Sequence, residues 1–467
     1  MANVLILGLG SFGGQIEAAR YFARRGATVT ATDLKPREKL AHALKELDGE
    51  PVALVLGEHR ETDVLAADLV VASPAVPPHS PFLALARARG IPVTSEIALT
   101  VERLRAPVYA VTGSNGKSTT TTLLGRAIEA CGFRTWVGGN IGRPLLGRLD
   151  EIEPSDRVVL EVSSFMLEGL GPLGFRPALA LVTNLTPNHL DRHGTMEAYA
   201  AAKRRVVERQ GPEDAAILNR DDPLVRAFAP ATRARVLTFG VSPLAPGEAG
   251  SFLADGRTIA WRDEGGREVE LLPVHALKVP GEHNVRNALA VAAAAAALGL
   301  EPAPVARALE SFGGIPHRLE VVARRRAVLW INDSKATTPE SGAAGILAFP
   351  PGLTLIAGGS DKGMDYAPLG RAAAGRVARA FLVGKTREKI ASAIAREAGL
   401  GSGTETRSAT EVVSCDDLAE AVARAAAATP AGQTVLFSPA SASFDQFLSY
   451  EHRGETFAAL VCALPEG

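Results

Sequence analysis

Cysteine, methionine, aromatic residues and net charge are all in short supply in this 467-residue chain, and each shortage removes a class of explanation. The three cysteines, Cys131, Cys415 and Cys462, are odd in number and far apart, which argues against a disulfide framework and for a reducing compartment. With 50 basic and 51 acidic residues the formal net charge is -1, so the chain carries no electrostatic footprint for nucleic acid or an anionic membrane. The longest apolar run, Ala288 to Leu300, falls short of the ~20 residues that span a bilayer; being mostly alanine, it reads as a closely packed buried helix. The apolar run Val4 to Leu7 breaks at once into glycines and lacks a basic flank and cleavage site, so it reads as a first strand and not a secretion signal. The expectation is a cytoplasmic protein, a monomer without membrane insertion or nucleic-acid partner, that acts on small molecules.

What is present centres on Thr112 to Thr119, T-G-S-N-G-K-S-T, placed after the apolar run Val108 to Val111 and before a helical segment. Gly113 and Gly116 let the backbone turn tightly and point several N–H groups at a phosphate, and the following helix adds the positive end of its dipole. Lys117 can neutralise phosphate charge and Ser118 can ligate magnesium. The usual spacing of such a loop has a further glycine where this chain has Val111, so the loop is a short variant.

Around it the chain alternates strands and helices, the pattern of an α/β protein. V-L-I-L-G-L-G-S-F-G-G, with Gly8, Gly10 and Gly13, fits a dinucleotide fingerprint between a strand and the helix Gln15 to Arg25, and Asp33 follows a second strand. A buried strand Val158 to Val162 carries Glu161; a carboxylate there costs several kcal/mol without a partner, which bound magnesium would supply, the alternative being a structural ion pair. The strand Ala178 to Thr183 runs into a polar loop containing His189, and a helix capped by Thr195 carries Lys203-Arg204-Arg205, by themselves a solvated face. Asn287 sits near the start of the alanine-rich helix, where amides hold nucleotides or simply cap. Residues 301–467 repeat the α/β rhythm, with strands ending in Gly358-Gly359, Gly384 and Ser438-Pro439.

The ordered set of T-G-S-N-G-K-S-T, G-G-N-I-G from Gly138, E-V-S-S-F-M-L-E from Glu161, N-H-L-D-R-H from Asn188, H-N-V-R-N from His283, H-R-L-E from His317, N-D-S-K-A-T from Asn332 and S-P-A-S-A-S-F-D-Q-F from Ser438 resembles the Mur ligase family of ATP-dependent amide-forming enzymes over essentially the whole chain. The resemblance implies three domains: a Rossmann-like UDP-substrate domain at 1–94, a central P-loop ATPase-like domain at 95–300 and a Rossmann-like amino-acid-binding domain at 301–467. The last motifs, with Glu451-His452-Arg453-Gly454, resemble the D-glutamate-adding branch, which implies that D-glutamate is joined to UDP-N-acetylmuramoyl-L-alanine through an acyl phosphate in cytoplasmic peptidoglycan precursor synthesis.

Roles follow from the resemblance. Gly113 to Thr119, Asn287, Arg318, Asp333 and Lys335 would hold ATP. Ser118 and Glu161 would hold one Mg2+, and His189 and Lys203, the lysine as its CO2 adduct (a carbamate), a second. Gly10, Ser11, Phe12, Asp33, Ser73, Asn140, Ser163 and His189 would lie at the UDP-linked substrate, and Thr337, Lys362, Ser443, Phe444 and Tyr450 at D-glutamate. Lys117, Glu161, His189 and Lys203 would serve the chemistry.

Rival readings account for less of the chain. A nicotinamide-dependent dehydrogenase built on Gly8, Gly10, Gly13 and Asp33 leaves the phosphate loop, Glu161 and Lys203 without work, and a non-catalytic nucleotide-binding module has no use for a magnesium-ligating set. Folylpolyglutamate synthetase, which shares the short loop, is disfavoured by the N-terminal UDP-type domain, and the sibling ligases by the C-terminal motifs.

Overall fold

The structure, a computed structural model, describes residues 2–10, 13–279, 281–361, 363–399 and 410–465. Ser11, Phe12 and Lys362, expected at the substrate sites, lie outside the described residues. The chain divides into two compact units, Met1–Phe312 and Gly313–Gly467. Among the described residues no helix is long and apolar enough to cross a membrane.

The first unit contains two sheets. β1 (Asn3–Leu7), β2 (Thr28–Asp33), β3 (Val52–Leu56), β4 (Leu69–Ala72) and β5 (Val93–Thr94) form a parallel sheet in the order β3-β2-β1-β4-β5. Parallel strands covered on both faces read as unbroken apolar runs, and Val4 to Leu7 of β1 are buried throughout. The chain turns out of β1 through Gly8 and Gly10, both at positive φ, into the helix Gly14–Ala23. Ser95 then caps the helix Glu96–Arg103, accepting from the Ala98 N–H at 3.3 Å. Its first residue, Glu96, is buried against Gly14, accepts a 3.0 Å bond from the Thr100 hydroxyl, and is pushed up to about pH 7 by burial.

The second sheet is built from β6 (Val108–Thr112), β7 (Thr135–Gly139), β8 (Arg157–Glu161), β9 (Leu179–Val182), β10 (Ala215–Asn219), β11 (Arg235–Phe239), β12 (Gly250–Ala254), β13 (Thr258–Arg262) and β14 (Glu268–Pro273), in the order β14-β13-β12-β11-β10-β9-β6-β8-β7. The strands from β7 across to β12 are parallel, and β12 to β14 add an antiparallel ribbon. β6 lies between β8 and β9, so Val111 pairs with both Glu161 and Leu181, and the carboxyl ends of these strands open at one edge. Open parallel sheets bind ligands at such an edge. The expected alanine helix is present as Glu282–Ala297, with Ala288 to Ala295 buried, and packs on the helix Lys117–Ala130 and the β11–β13 strands. Alanine suits that position because it allows close approach while favouring helix.

The second unit carries β15 (Glu320–Arg325), β16 (Val328–Asn332), β17 (Leu353–Gly358), β18 (Val377–Val383), β19 (Glu411–Ser414) and β20 (Thr434–Phe437) in the order β15-β16-β20-β17-β18-β19; only β15 runs antiparallel to its neighbour. The loops after β16, β17, β18 and β20 therefore share one edge of this sheet. A mixed α/β fold with three sheets is thus observed, as the alternating pattern implies.

Candidate active site

The stretch Thr112 to Thr119 forms the strand end, turn and helix start that its sequence calls for. Gly113 and Gly116 have φ of 141° and 80°. A side chain at Gly113 would collide with Thr183, and one at Gly116 with the amide oxygen of Asn287. Glycine is needed at both places for conformation and for space. The first half of the loop is held by the segment that follows β9. The Ser114 hydroxyl donates to the Thr186 carbonyl (3.0 Å) and accepts from the Thr186 N–H (2.9 Å). The Asn115 N–H donates to the Asn184 side-chain oxygen (2.9 Å), and the Asn115 carbonyl accepts from the Thr183 hydroxyl (2.7 Å). Lys117 Nζ donates to the Ser114 carbonyl at 2.7 Å, folding back over the loop, while Ser118 is buried and Thr119 half-buried in the first helical turn. Asn287 joins from the alanine helix: its Oδ1 accepts from the Thr120 hydroxyl at 3.2 Å.

Glu161 ends β8 beside this loop and is 1% exposed. Its Oε1 accepts from Asn140 Nδ2 at 2.8 Å; its Oε2 is buried with no hydrogen-bond partner among the described residues. An unmatched buried carboxylate oxygen is costly, and a bound cation is the partner such a group fits. Lys203 is also 1% exposed, contrary to the solvated-face alternative for its basic cluster. Its Nζ donates to the Thr112 hydroxyl at 3.4 Å and lies 4.9 Å from the centre of the Tyr199 ring. Burial first, then the nearby positive charge of Lys117, lowers its pKa to about 6, against a weaker opposing pull from Glu161. The amine is therefore mostly neutral at pH 7 and above.

His189, at φ 53°, begins the short turn Leu190–His193, with its ring 4.9 Å from Phe165. Phe165 also stacks on His193, which packs on Tyr199, so an aromatic chain runs from His189 towards Lys203. Ser163 caps the helix Ser164–Leu170, accepting from the Met166 N–H at 3.2 Å. In the first sheet, Asp33 uses both carboxylate oxygens on main-chain N–H groups, of Gly10 and Lys35, each at 2.8 Å. It shapes the glycine turn from within. Ser73 packs against Gly8 and accepts from the Ala75 N–H at 3.3 Å.

In the second unit, Asp333 follows β16, accepts from the Ser438 hydroxyl (2.7 Å) and the Leu319 N–H (3.3 Å), and is pushed up to about pH 7 by burial. Lys335 donates its N–H to the His317 carbonyl at 2.9 Å, Arg318 is exposed, and Thr337 is half-buried one residue before the cap of helix Pro339–Leu347. Ser443 is buried, Phe444 is 60% exposed, and Tyr450 begins the helix Tyr450–Cys462, its hydroxyl pKa raised by burial and by Glu451. Arg453, 2% exposed, clamps these segments. It donates to the Ser334 hydroxyl (3.0 Å) and carbonyl (2.8 Å) and to the Ser441 carbonyl (2.9 Å). Burial lowers its pKa to about 10.

Within the first unit the structure thus gathers Gly113 to Ser118, Asn140, Glu161, Lys203 and Asn287 around one strand edge, and within the second it gathers Asp333, Lys335 and Ser443 around another. Sequence reasoning missed Tyr199, whose hydroxyl lies 3.0 Å from Ser114 Oγ while its ring faces Lys203. The signal was available: Tyr199 is one helical turn before Lys203, on the same face.

A glycine turn between a strand end and a helix start, with a buried carboxylate and a buried lysine beside it, is an arrangement suited to the phosphates of a nucleotide, as in the class of nucleotide-dependent α/β enzymes. Comparison with known proteins narrows it. Three family descriptions match the chain: the Mur ligase MurD-like N-terminal domain at residues 2–95, the Mur ligase middle domain at 111–295 and the Mur ligase glutamate ligase domain at 317–441. The chain belongs to the Mur ligase family. It is 45% identical over 465 residues, covering 100% of this chain and 98% of the other, to the UDP-N-acetylmuramoylalanine--D-glutamate ligase of Geobacter metallireducens. It is 43% identical over 446 residues, 95% of each chain, to the enzyme of the same name from Symbiobacterium thermophilum. Among solved structures, the UDP-N-acetylmuramate-alanine ligase of Thermotoga maritima shares the fold with a TM-score of 0.60 at 22% identity, covering 99% of this chain and 100% of that one. The murein peptide ligase of Psychrobacter arcticus does so with a TM-score of 0.54 at 18% identity, covering both chains fully.

Proposed function

We propose that this enzyme joins the amine of D-glutamate to the alanine carboxylate of UDP-N-acetylmuramoyl-L-alanine, converting ATP to ADP and phosphate. The observation that carries the reading is the pairing, beside a glycine-turned phosphate loop, of Glu161 with its unpartnered buried oxygen and Lys203 with its neutral buried amine. Full-length similarity to ligases named for D-glutamate supports the choice of amino acid.

A carboxylate is a poor electrophile at neutral pH, so its oxygen first attacks the γ-phosphorus of ATP, with ADP leaving; the glutamate amine then displaces phosphate from the acyl phosphate. The chain's task is positioning and charge compensation. The N–H groups of Ser114 and Asn115 are taken up by Asn184, so the turn at Gly116 and the start of the helix Lys117–Ala130 would meet the phosphates with main-chain N–H groups and the helix dipole, and Lys117 would offset charge on the transferred group. The donor set fits magnesium: Ser118 and Glu161 would hold one ion, His189 and Lys203 another, and bound magnesium would neutralise phosphate oxygens during transfer. For the lysine to serve, its neutral nitrogen adds to CO2, forming an N–C bond and releasing one proton, which leaves an anionic oxygen donor. A pKa near 6 favours that addition. Asn140 and Ser163 are assigned to the UDP-linked substrate and Ser443, Thr337 and Tyr450 to D-glutamate.

The test is phosphate release from ATP and magnesium with UDP-N-acetylmuramoyl-L-alanine and either D- or L-glutamate. Release should require the D-isomer; release without an amino acid, or equal with both isomers, refutes the reading.

A further inference from the structure

The segment after β9 that holds the phosphate loop is itself held from its other side. Asn219, the last residue of β10 and 4% exposed, donates from Nδ2 to the Thr183 carbonyl at 2.7 Å. Its own oxygen accepts from the Asp221 N–H at 3.0 Å, which fixes which way the amide faces. Three residues on, Asp222 Oδ2 accepts from the Leu185 N–H at 2.7 Å, while its Oδ1 caps the turn Pro223–Arg226 through the N–H groups of Leu224 (3.0 Å) and Val225 (3.2 Å). Thr183 and Leu185 bracket Asn184. Thr183, Asn184 and Thr186 make the bonds that fix Ser114 and Asn115, and the Thr183 side chain closes over Gly113.

We propose that Asn219 and Asp222 are positioning residues for ATP: through the 183–186 segment they fix Ser114 and Asn115, and with them the place of the turn at Gly116 and of the helix start that would face a phosphate. Neither needs to touch nucleotide. A loop that must present several donors to one phosphate tolerates little displacement, because misplacing groups by about 1 Å costs on the order of a hundredfold in rate. Toward the 183–186 segment Asn219 offers a donor and Asp222 an acceptor, so each contact can be inverted with little change of shape. Asn219→Asp sets an acceptor against the Thr183 carbonyl, and Asp222→Asn sets a donor either against the Leu185 N–H or against the N–H groups of Leu224 and Val225 that hold the same side chain in place.

The inference rests on the ATP role proposed above for the loop, and the assay separates the two. Steady-state phosphate release by wild type and both variants gives KM for ATP, UDP-N-acetylmuramoyl-L-alanine and D-glutamate. KM for ATP should rise about tenfold or more in each variant, with the other two within about twofold. Amide hydrogen exchange at 113–116 should quicken while that of β6 does not. Asn219→Ser, which shortens the donor without adding charge, decides the matter should Asn219→Asp prove insoluble. An unchanged KM for ATP in folded variants, or an equal rise for all three substrates, overturns the inference while leaving the activity in place. Wild-type enzyme without ATP-dependent release overturns the activity itself.

Discussion

Replacing Lys203 by methionine should make the enzyme inactive and, at neutral pH, more stable. In the native protein the amine is buried and its pKa is lowered from 10.5 to about 6. In the unfolded chain it regains its ordinary value, so between those limits the unfolded state binds one more proton. Stability then rises with pH, by about 1.4 kcal/mol per pH unit for a single proton. At pH 7.5 the deprotonation forced on the folded state costs roughly 4 kcal/mol, a ceiling that the lost attraction to Glu161 reduces. Methionine has similar length and no charge to strip, so Lys203→Met removes both the cost and the slope. Urea unfolding at pH 6.5, 7.5 and 8.5, in CO2-depleted buffer without magnesium and followed by fluorescence of Trp136 and Trp261, measures both. Equal pH slopes in the two proteins, or a methionine variant that is the less stable one at pH 7.5, would show that Lys203 is not a buried neutral amine. Its interpretation as a CO2 acceptor would then fail with it.

Glu161→Gln keeps the contact to Asn140 but replaces the orphaned oxygen with a donor; phosphate release should fall by about a thousandfold and the rise in melting temperature on adding magnesium should vanish, with unaided stability unchanged or higher. A magnesium shift that survives would place the ion elsewhere. Glu96→Gln tests a carboxyl whose folded pKa is raised to about 7. The folded state binds the extra proton between pH 4.5 and 7, so the wild-type contribution is full below pH 4.5 and disappears as pH rises through 7, a difference of about 3 kcal/mol at most. The glutamine variant should gain on wild type from pH 5 to pH 8 in urea midpoints, and parallel curves would contradict this. Arg453→Lys keeps the charge but cannot reach Ser334 and Ser441 together; the second unit should lose about 2–4 kcal/mol of stability, read by hydrogen exchange in β16 and β20. Protection equal to wild type would mean the clamp is dispensable.

The sequence made legible those features whose physics is local. Strand, turn and helix around Thr112 to Thr119 follow from an apolar run, two glycines and a helix former. The alanine helix and the strands at β1, β8, β9, β17, β18 and β20 emerge to within a few residues for the same reason. Glu161 was legible as a carboxylate in an apolar strand and Asn287 as an amide near a helix start, and the structure places both beside the loop. The antiparallel ribbon β12–β14 was not foreseen: its strands are short, and β12 and β13 are buried on both faces for most of their length, which leaves little alternation to read. Tyr199 was passed over because a tyrosine inside an amphipathic helix reads as core, and only the fold reveals what its hydroxyl meets. Lys203 is the sharper case: Lys203-Arg204-Arg205 looks like a solvated face, yet neighbours in a helix point about 100° apart, and the first of the three turns inward while Arg204 stays exposed. Asp33 carried an expectation of ligand contact, and no sequence rule could show that its oxygens are taken up by Gly10 and Lys35.

The bond between Thr120 and Asn287 spans 167 residues of sequence, and Asn287 also fills the space beside Gly116. On the ribosome the phosphate loop therefore emerges long before the helix that completes it. Chains of this length fold by units and expose unfinished intermediates, and distant contacts form late. A nascent chain ending short of residue 287 has the loop's residues but lacks its far wall, so with the ATP role proposed for the loop nucleotide affinity would become a marker of a late folding event. Added nucleotide would then hold the finished first unit together by mass action and do little for chains still being made.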